Sequence, residues 1–397
     1  MVDRRKRTVR SLTVPSTGRG SLNDGGVLLV TAEDRRLFKR APCTSFDSLE
    51  AAHAHALEDE QHARTAAPQS SADGESFRFR DYHRAHVAIR CGGAHSSWVL
   101  SEWAARQLCK LLRFPFEALN CLSPKVAVEV LTDRCRWAFK EVEELARKDY
   151  RYMVPLVSNR EVTPRFSLPR LRALNSIAYE RLPDAHVLEV LLEEQEGFRV
   201  DRVTRGERAM HAWLVNPHCE AELGDEVVSP GVLLRSSEVG NGMPCLYRTI
   251  YRHRDCASFP WSNEEGLGRS TLRWAYDRPQ WLEDLRGDLD FVRRQRTMDA
   301  ELAAGLRASR TVLADAPEGA VTRLRSTRRA VNHRVLVPTG NQLERAVARA
   351  ARDGAYGRKL TVWSLAGHLA AIGAEDEYSC TAWLHAEVAA KLFQEST

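Results

Sequence analysis

The spacing of apolar and polar positions changes character several times along the chain. Residues 1–25 mix Arg, Ser, Thr and Gly with little apolar content and predict a mobile arm. Val27–Val30 reads as a short strand, Leu49–Arg64 as a short helix and Ala66–Gly74 as a linker. From Phe77 to Tyr82 aromatic and charged residues alternate with period two, the pattern of a half-exposed strand, which His86–Arg90 continues until Gly92 and Gly93 break it. Helical spacing follows. Ser96 or Ser97 is placed to cap a helix whose Val99, Leu100, Trp103, Leu108, Leu111 and Leu112 lie mostly on one side. After Pro115, Ser123 and Pro124 supply an N-cap and a first helical residue for a helix through Val130, Trp137 and Phe139.

The texture between Arg151 and Arg254 is that of short strands: Tyr152–Val157, Leu171–Tyr179, Phe198–Val203, Ala209–Val215, Val227–Arg235 and Leu246–Tyr251. Asn159, Pro164, Gly206, Asn216–Pro217, Gly224–Asp225 and Gly240–Asn241–Gly242 separate them. One helix, Pro183 to about Glu196, intervenes. The end is helical again. Trp281, Leu285, Leu289 and Val292 predict a long amphipathic helix over Asp277–Ala314, followed by helices at Asn341–Arg352, Thr361–Ile372 and Ser379–Phe393. The expected fold is α+β, with a central, mainly antiparallel twisted sheet flanked by N-terminal and C-terminal helices. The expected organisation is a basic arm (1–25), a divergent N-terminal segment (26–95), an α+β core (96–276) and a C-terminal helical region (277–397).

Composition narrows the class. With 397 residues, 43% of them apolar and 28% charged, the chain has ample material for a packed core and is neither disordered throughout nor fibrous. No stretch approaches the roughly 18 consecutive apolar residues of a membrane span, so no membrane partner is expected. The charged opening, Met1–Arg10, is not followed by an apolar segment, unlike an export signal. Nine scattered cysteines, none in C-x-x-C spacing, then predict reduced thiols and a cytoplasmic location.

Charge is unevenly distributed. The formal net charge is +5, yet residues 1–10 carry +4 and residues 321–359 carry +8. Arg323, Arg325, Arg328, Arg329 and Arg334 crowd into the second block, alongside His333 and without an acid between them. Phe77–Arg90 places Phe77, Phe79 and Tyr82 among Arg78, Arg80, Arg84 and Arg90. Rings that stack on bases, beside guanidinium groups that neutralise phosphate, are what single-strand binding requires. The alternative reading is bland. On a strand Arg78 and Arg80 point away from Phe77 and Phe79, so the rings go inward and the arginines merely meet water. The arginine-rich block reads equally well as a solvated helix face.

Candidate chemistry is sparse. There is no phosphate-binding glycine loop, so no nucleotide cofactor is expected. His253, Arg254, Asp255 and Cys256 form the densest reactive set, but no second ligand pair stands at metal spacing, so no metal is expected. His53, His55 and His62 fit an exposed polar helix. Ser236 and Ser237 lack the glycine two residues earlier that a nucleophile elbow needs, and a strand end with an Asn-Gly turn accounts for them. An enzymatic reading requires Glu238, His253 and Asp255 to meet in one pocket.

Three segments carry a resemblance, and a fourth, Thr361–Phe393, carries a weaker one. Gln107–Pro115 with Leu122–Pro124, then Leu171–Asp184, and above all Gly224–Gly240 with Leu246–Arg248, resemble an uncharacterised family of phage- and plasmid-encoded proteins. The core of that family reads "GD-x-V-x-x-G-x-x-x-x-NSEVG … YR", to which Ser237, Glu238, Val239, Gly240, Tyr247 and Arg248 correspond. The likeness spans about residues 96–393. Ser236 replaces the family's Asn, and Tyr251–Arg254 replaces its Cys-Thr-Asn-Gly. The resemblance implies DNA replication, recombination or annealing on a mobile element. The expected function is therefore a non-catalytic DNA-associated accessory protein, binding single-stranded or displaced DNA. The alternatives are an interaction factor acting on host or element proteins, a homo-oligomer among them, or an enzyme of unknown class.

Overall fold

The computed structural model describes residues 36–38, 43–65, 69–70, 77–82, 86–91, 97–141, 152–158, 168–176, 179, 181–223, 226–240, 244–260, 269–271 and 280–295, and most of 305–331, 338–352, 360–375 and 385–392. The expected strand at Val27–Val30, the basic arm and Arg334 lie outside these residues.

The first strand, β1 (Thr44–Phe46), leads into α1 (Leu49–His62), whose N-cap Ser48 accepts a hydrogen bond from the Ala51 amide. The chain then builds a sheet from β2 (Ala63–Thr65), β3 (Gln69–Ser70), β4 (Phe77–Tyr82), β5 (His86–Cys91), β6 (Trp98–Leu100), β7 (Tyr152–Ser158) and β8 (Arg170–Ser176). Its order is β2-β7-β8-β6-β5-β4, with β3 also on β7. Every pairing is antiparallel except β6 with β8. Helices α2 (Glu102–Leu111), α3 (Phe116–Asn120) and α4 (Pro124–Glu141) cover one face. There Phe77, Ile89, Trp98 and Leu171 pack against Leu108, Leu119 and Leu131. The helix expected from Ser96 or Ser97 starts later. Trp98–Leu100 finds ladder partners on both sides and becomes a strand, and Ser101 caps α2 by accepting from the Ala104 amide.

After α5 (Asp184–Glu194), a second sheet forms from β9 (Arg199–Arg205), β10 (Met210–Val215), β11 (Ala221–Leu223), β12 (Glu226–Ser236), β13 (Cys245–Arg252), β14 (Ala257–Pro260) and β15 (Arg269–Thr271). With β1 recruited at one edge, the order is β1-β9-β10-β12-β13-β14, all antiparallel. The central strand β10 is buried on both faces and accordingly reads as a nearly continuous apolar run. All six residues of β10 are buried. Met210, Ala212 and Leu214 join one core with α1, α5 and α6 (Gln280–Arg294), while Trp213 joins another with α7 (Pro317–Val331), α8 (Gly340–Arg352) and α9 (Val362–Ala374). Gly231 is needed where β12 crosses β10, since a Cβ there would lie 2.4 Å from the Leu214 carbonyl oxygen.

The fold is thus α+β and mainly antiparallel, with its strands shared between two large sheets. Residues 26–95 contribute to both sheets, and β5 pairs with β6 across the boundary expected at residue 96. The long helix expected to reach Ala314 ends at Arg294. Val312–Ala314 is instead a strand, β16, pairing with β17 (Leu360–Thr361), because a partner strand is available there.

Candidate functional site

The residues of the Ser-Glu-Val-Gly segment sit where the two sheets meet. The β12–β13 connection and the β9–β10 turn both project from the larger sheet onto α2 and β8. Trp103 Nε1 donates to the Val239 carbonyl at 2.8 Å, and Gln107 Nε2 donates to the same oxygen at 3.3 Å. The Tyr179 hydroxyl donates to the Ser237 carbonyl at 3.0 Å, and Ser237 Oγ donates to the Arg208 carbonyl at 2.6 Å. Gly240 has φ +76°, which favours glycine, and a Cβ would stand 3.1 Å from Asn175 Oδ1.

Glu238 occupies the centre. It is buried and paired with Arg172 and with Arg181, whose Nη2 lies 2.8 Å from Oε2. Burial alone would raise its pKa, but the Arg172 and Arg181 charges hold the carboxyl below the usual carboxylate range. Arg181 also holds Glu60 of α1. Asp184, at the start of α5, is buried beside this pair. Its Oδ2 receives Arg205 at 3.4 Å, and its Oδ1 has no hydrogen-bond partner. Burial, then the Glu238 charge, push its pKa up to about 7. Arg205 reaches on to Asp59 Oδ2 at 3.0 Å. At the flank Glu102 pairs with Arg106 and Arg208, and Glu207 with Arg170 at 3.3 Å. Charged groups buried this deeply need such partners, and breaking one pair strands the other. The arrangement ties the two sheets together through buried ion pairs.

The enzymatic constellation does not form. Glu238 follows β12, whereas His253 follows β13 at the opposite end of the same hairpin, its amide bonded to the Val227 carbonyl. The β12–β13 ladder runs from Arg235↔Cys245 to Val228↔Arg252, a span of roughly 24 Å. His253 instead meets Ser229 Oγ at 2.8 Å, and Asp255 pairs with Arg252 at 3.0 Å. Tyr247 is core, and Arg248 stacks 3.9 Å from the Phe291 ring centre.

The basic candidates separate. Phe77 and Phe79 face the core, while Arg78 and Arg80 are exposed on β4, Arg80 lying 5.8 Å from the Tyr82 ring centre. Arg78 stands directly across from the exposed Arg90 on β5. Further in on the same face Ala88 and Val99 are buried. The arginine-rich block forms α7. Arg323 and Arg329 are exposed; Arg325 pairs with Glu344 at 3.2 Å. Arg328 falls on the inner face with Leu324 and Thr327 and donates to the Pro338 carbonyl at 2.8 Å, so the expected phosphate contact at this residue is corrected to a buried structural role. Arg345 and Arg349 of α8 are tied to Glu375. The two basic segments belong to different cores, β4 to the α2–α4 side and α7 to the α8–α9 side.

Sequence reasoning missed Arg172, Arg181, Asp184 and Arg205, whose partners are remote in the chain. The only local signal was a charge embedded in an apolar run, as with Arg172 between Leu171 and Ala173. Among the described residues no group of three or more His, Cys, Asp or Glu side chains could hold a metal, and no helix is long and apolar enough to cross a membrane. Comparison with known proteins finds no matching family model, no matching curated protein and no matching solved structure.

Proposed function

We propose that the protein is a non-catalytic, DNA-associated accessory factor that engages single-stranded or displaced DNA along the β4 margin. One observation carries the reading: Arg78 and Arg90 are cross-strand neighbours, with Arg80 beside them on the same exposed face. Like charges directly opposite each other on a sheet work against folding. Arg78 and Arg80 are exposed on this face, so both guanidinium groups are open to a ligand. A phosphate backbone laid along these guanidinium groups would release its counterions.

Fluorescence anisotropy with labelled oligonucleotides over a salt series tests the reading. The affinity for single strands should fall linearly on a log–log plot against salt. The double variant Arg78→Ala, Arg80→Ala should lower the slope by about 1.4, at about 0.7 per lost phosphate contact. A salt-independent signal, no binding at low salt, or a double variant with the wild-type slope overturns it.

A further inference from the structure

Helix α4 packs its inner face, including Ala127, Leu131 and Cys135, into the core that also receives Phe77 and Phe79 of β4. The helix therefore stands behind the strand whose other face carries Arg78 and Arg80. On α4, Trp137 is exposed, one of few large apolar side chains at the described surface that are. A single exposed tryptophan is unremarkable by itself. This one is part of a stack. Arg134, one helical turn earlier, lies with its guanidinium carbon 5.5 Å from the Trp137 ring centre and 5.5 Å from that of Phe114. Phe114 is in turn packed against the core. The result is a Phe114–Arg134–Trp137 ladder, anchored at its inner rung and open at its outer one. Lys110 and Arg113 are exposed at the end of α2, and Arg136, next to Trp137 in the chain, is exposed and pairs with Asp133 at 3.9 Å.

We infer that Trp137, backed by Arg134 and Phe114, is a stacking platform for an unpaired base of a single-stranded nucleic acid. The inference rests on the nucleic-acid reading above and sharpens it. Guanidinium groups on a sheet margin attract any polyanion, whereas an exposed indole gains only from a base that is free to unstack. Base–aromatic stacking tolerates any sequence, since every base has a π-face, and Arg134 presents its cation to the indole from the protein side. Duplex, with its bases stacked on each other, offers the platform nothing.

Anisotropy on the full-length protein with a labelled single-stranded oligothymidine and a blunt duplex of equal length separates the two ideas. Trp137→Ala should weaken single-strand binding about tenfold or more, with the salt slope unchanged and duplex binding unaltered. Trp137→Phe keeps an aromatic face and should restore most of the loss on the single strand, while unaltered duplex binding in both variants separates stacking from a merely structural role. Trp137→Ala with wild-type single-strand affinity overturns the platform while leaving the Arg78 and Arg80 result to stand. Equal losses on single strand and duplex also overturn it. Absence of binding by the wild-type protein to either oligonucleotide removes both readings together.

Discussion

Gly367 lies inside α9, where exchange to alanine ordinarily stabilises a helix by about 1 kcal/mol. Here the structure reverses the sign. A Cβ at Gly367 would lie 1.3 Å from Arg252 Nη1 and 2.3 Å from its Cζ. The end of an arginine normally swings aside at small cost, but this one is fully buried and held on all sides. Its Nε donates to Glu226 Oε2 at 2.9 Å and its Nη2 to Oε1 at 2.5 Å, while Nη1 donates to the Trp363 carbonyl at 3.1 Å and faces Asp255 at 3.0 Å. Moving it leaves Glu226, itself fully buried, with an incomplete counter-charge. Breaking a buried pair in this way costs about 3–5 kcal/mol. Against the gain of about 1 kcal/mol in helix propensity, Gly367→Ala should destabilise by about 2–4 kcal/mol. Equilibrium denaturation in urea, followed by tryptophan fluorescence, should show a lower midpoint with an unchanged slope. In an Arg252→Ala background the obstruction is gone, and the same exchange should become neutral or stabilising, so the coupling isolates the contact. A Gly367→Ala protein as stable as wild type would refute the reasoning.

Glu238→Ala should lower stability by about 3–5 kcal/mol, because Arg172 and Arg181 are left buried without their carboxylate; a thermal melt matching wild type would show that the joint does not depend on it. Asp184 gives a pH dependence. Its folded pKa of about 7 stands above an unfolded value of roughly 4, so the folded protein keeps a proton that the unfolded chain releases, and stability falls as pH rises between these values. Asp184→Asn should flatten that fall between pH 4.5 and 7.5 in denaturation midpoints, and equal slopes for both proteins would discard the assignment.

What the sequence made legible follows from where each signal resides. Strands β10, β12 and β13 stand out because burial on both faces turns them into apolar runs bounded by Gly, Asn and Pro. Period two along Phe77–Tyr82 correctly separates inward rings from outward arginines, and it locates the proposed phosphate contacts. Tertiary partners decide the errors. Trp98–Leu100 has helical spacing yet lies between two waiting strands, and Val312–Ala314 is drawn into a ladder by Leu360–Thr361. Arg328 was readable only once α7 was recognised as a helix, since it then shares a face with Ala320 and Leu324. The pairs around Glu238 were not readable at all. Its partners sit 57 and 66 positions earlier in the chain, at Arg181 and Arg172, and no local pattern encodes a match across that distance.

One feature of the topology bears on how the chain assembles as it is made. β1 is hydrogen-bonded to β9, about 160 residues further along, and every strand of the other large sheet, β2 to β8, falls between them. During synthesis, which proceeds at about 5–20 residues per second, that intervening sheet has been synthesised in full before β9 exists. Thr44–Phe46 therefore waits roughly ten seconds or more for the strand it pairs with, so the larger sheet cannot be completed until every strand of the other has been made.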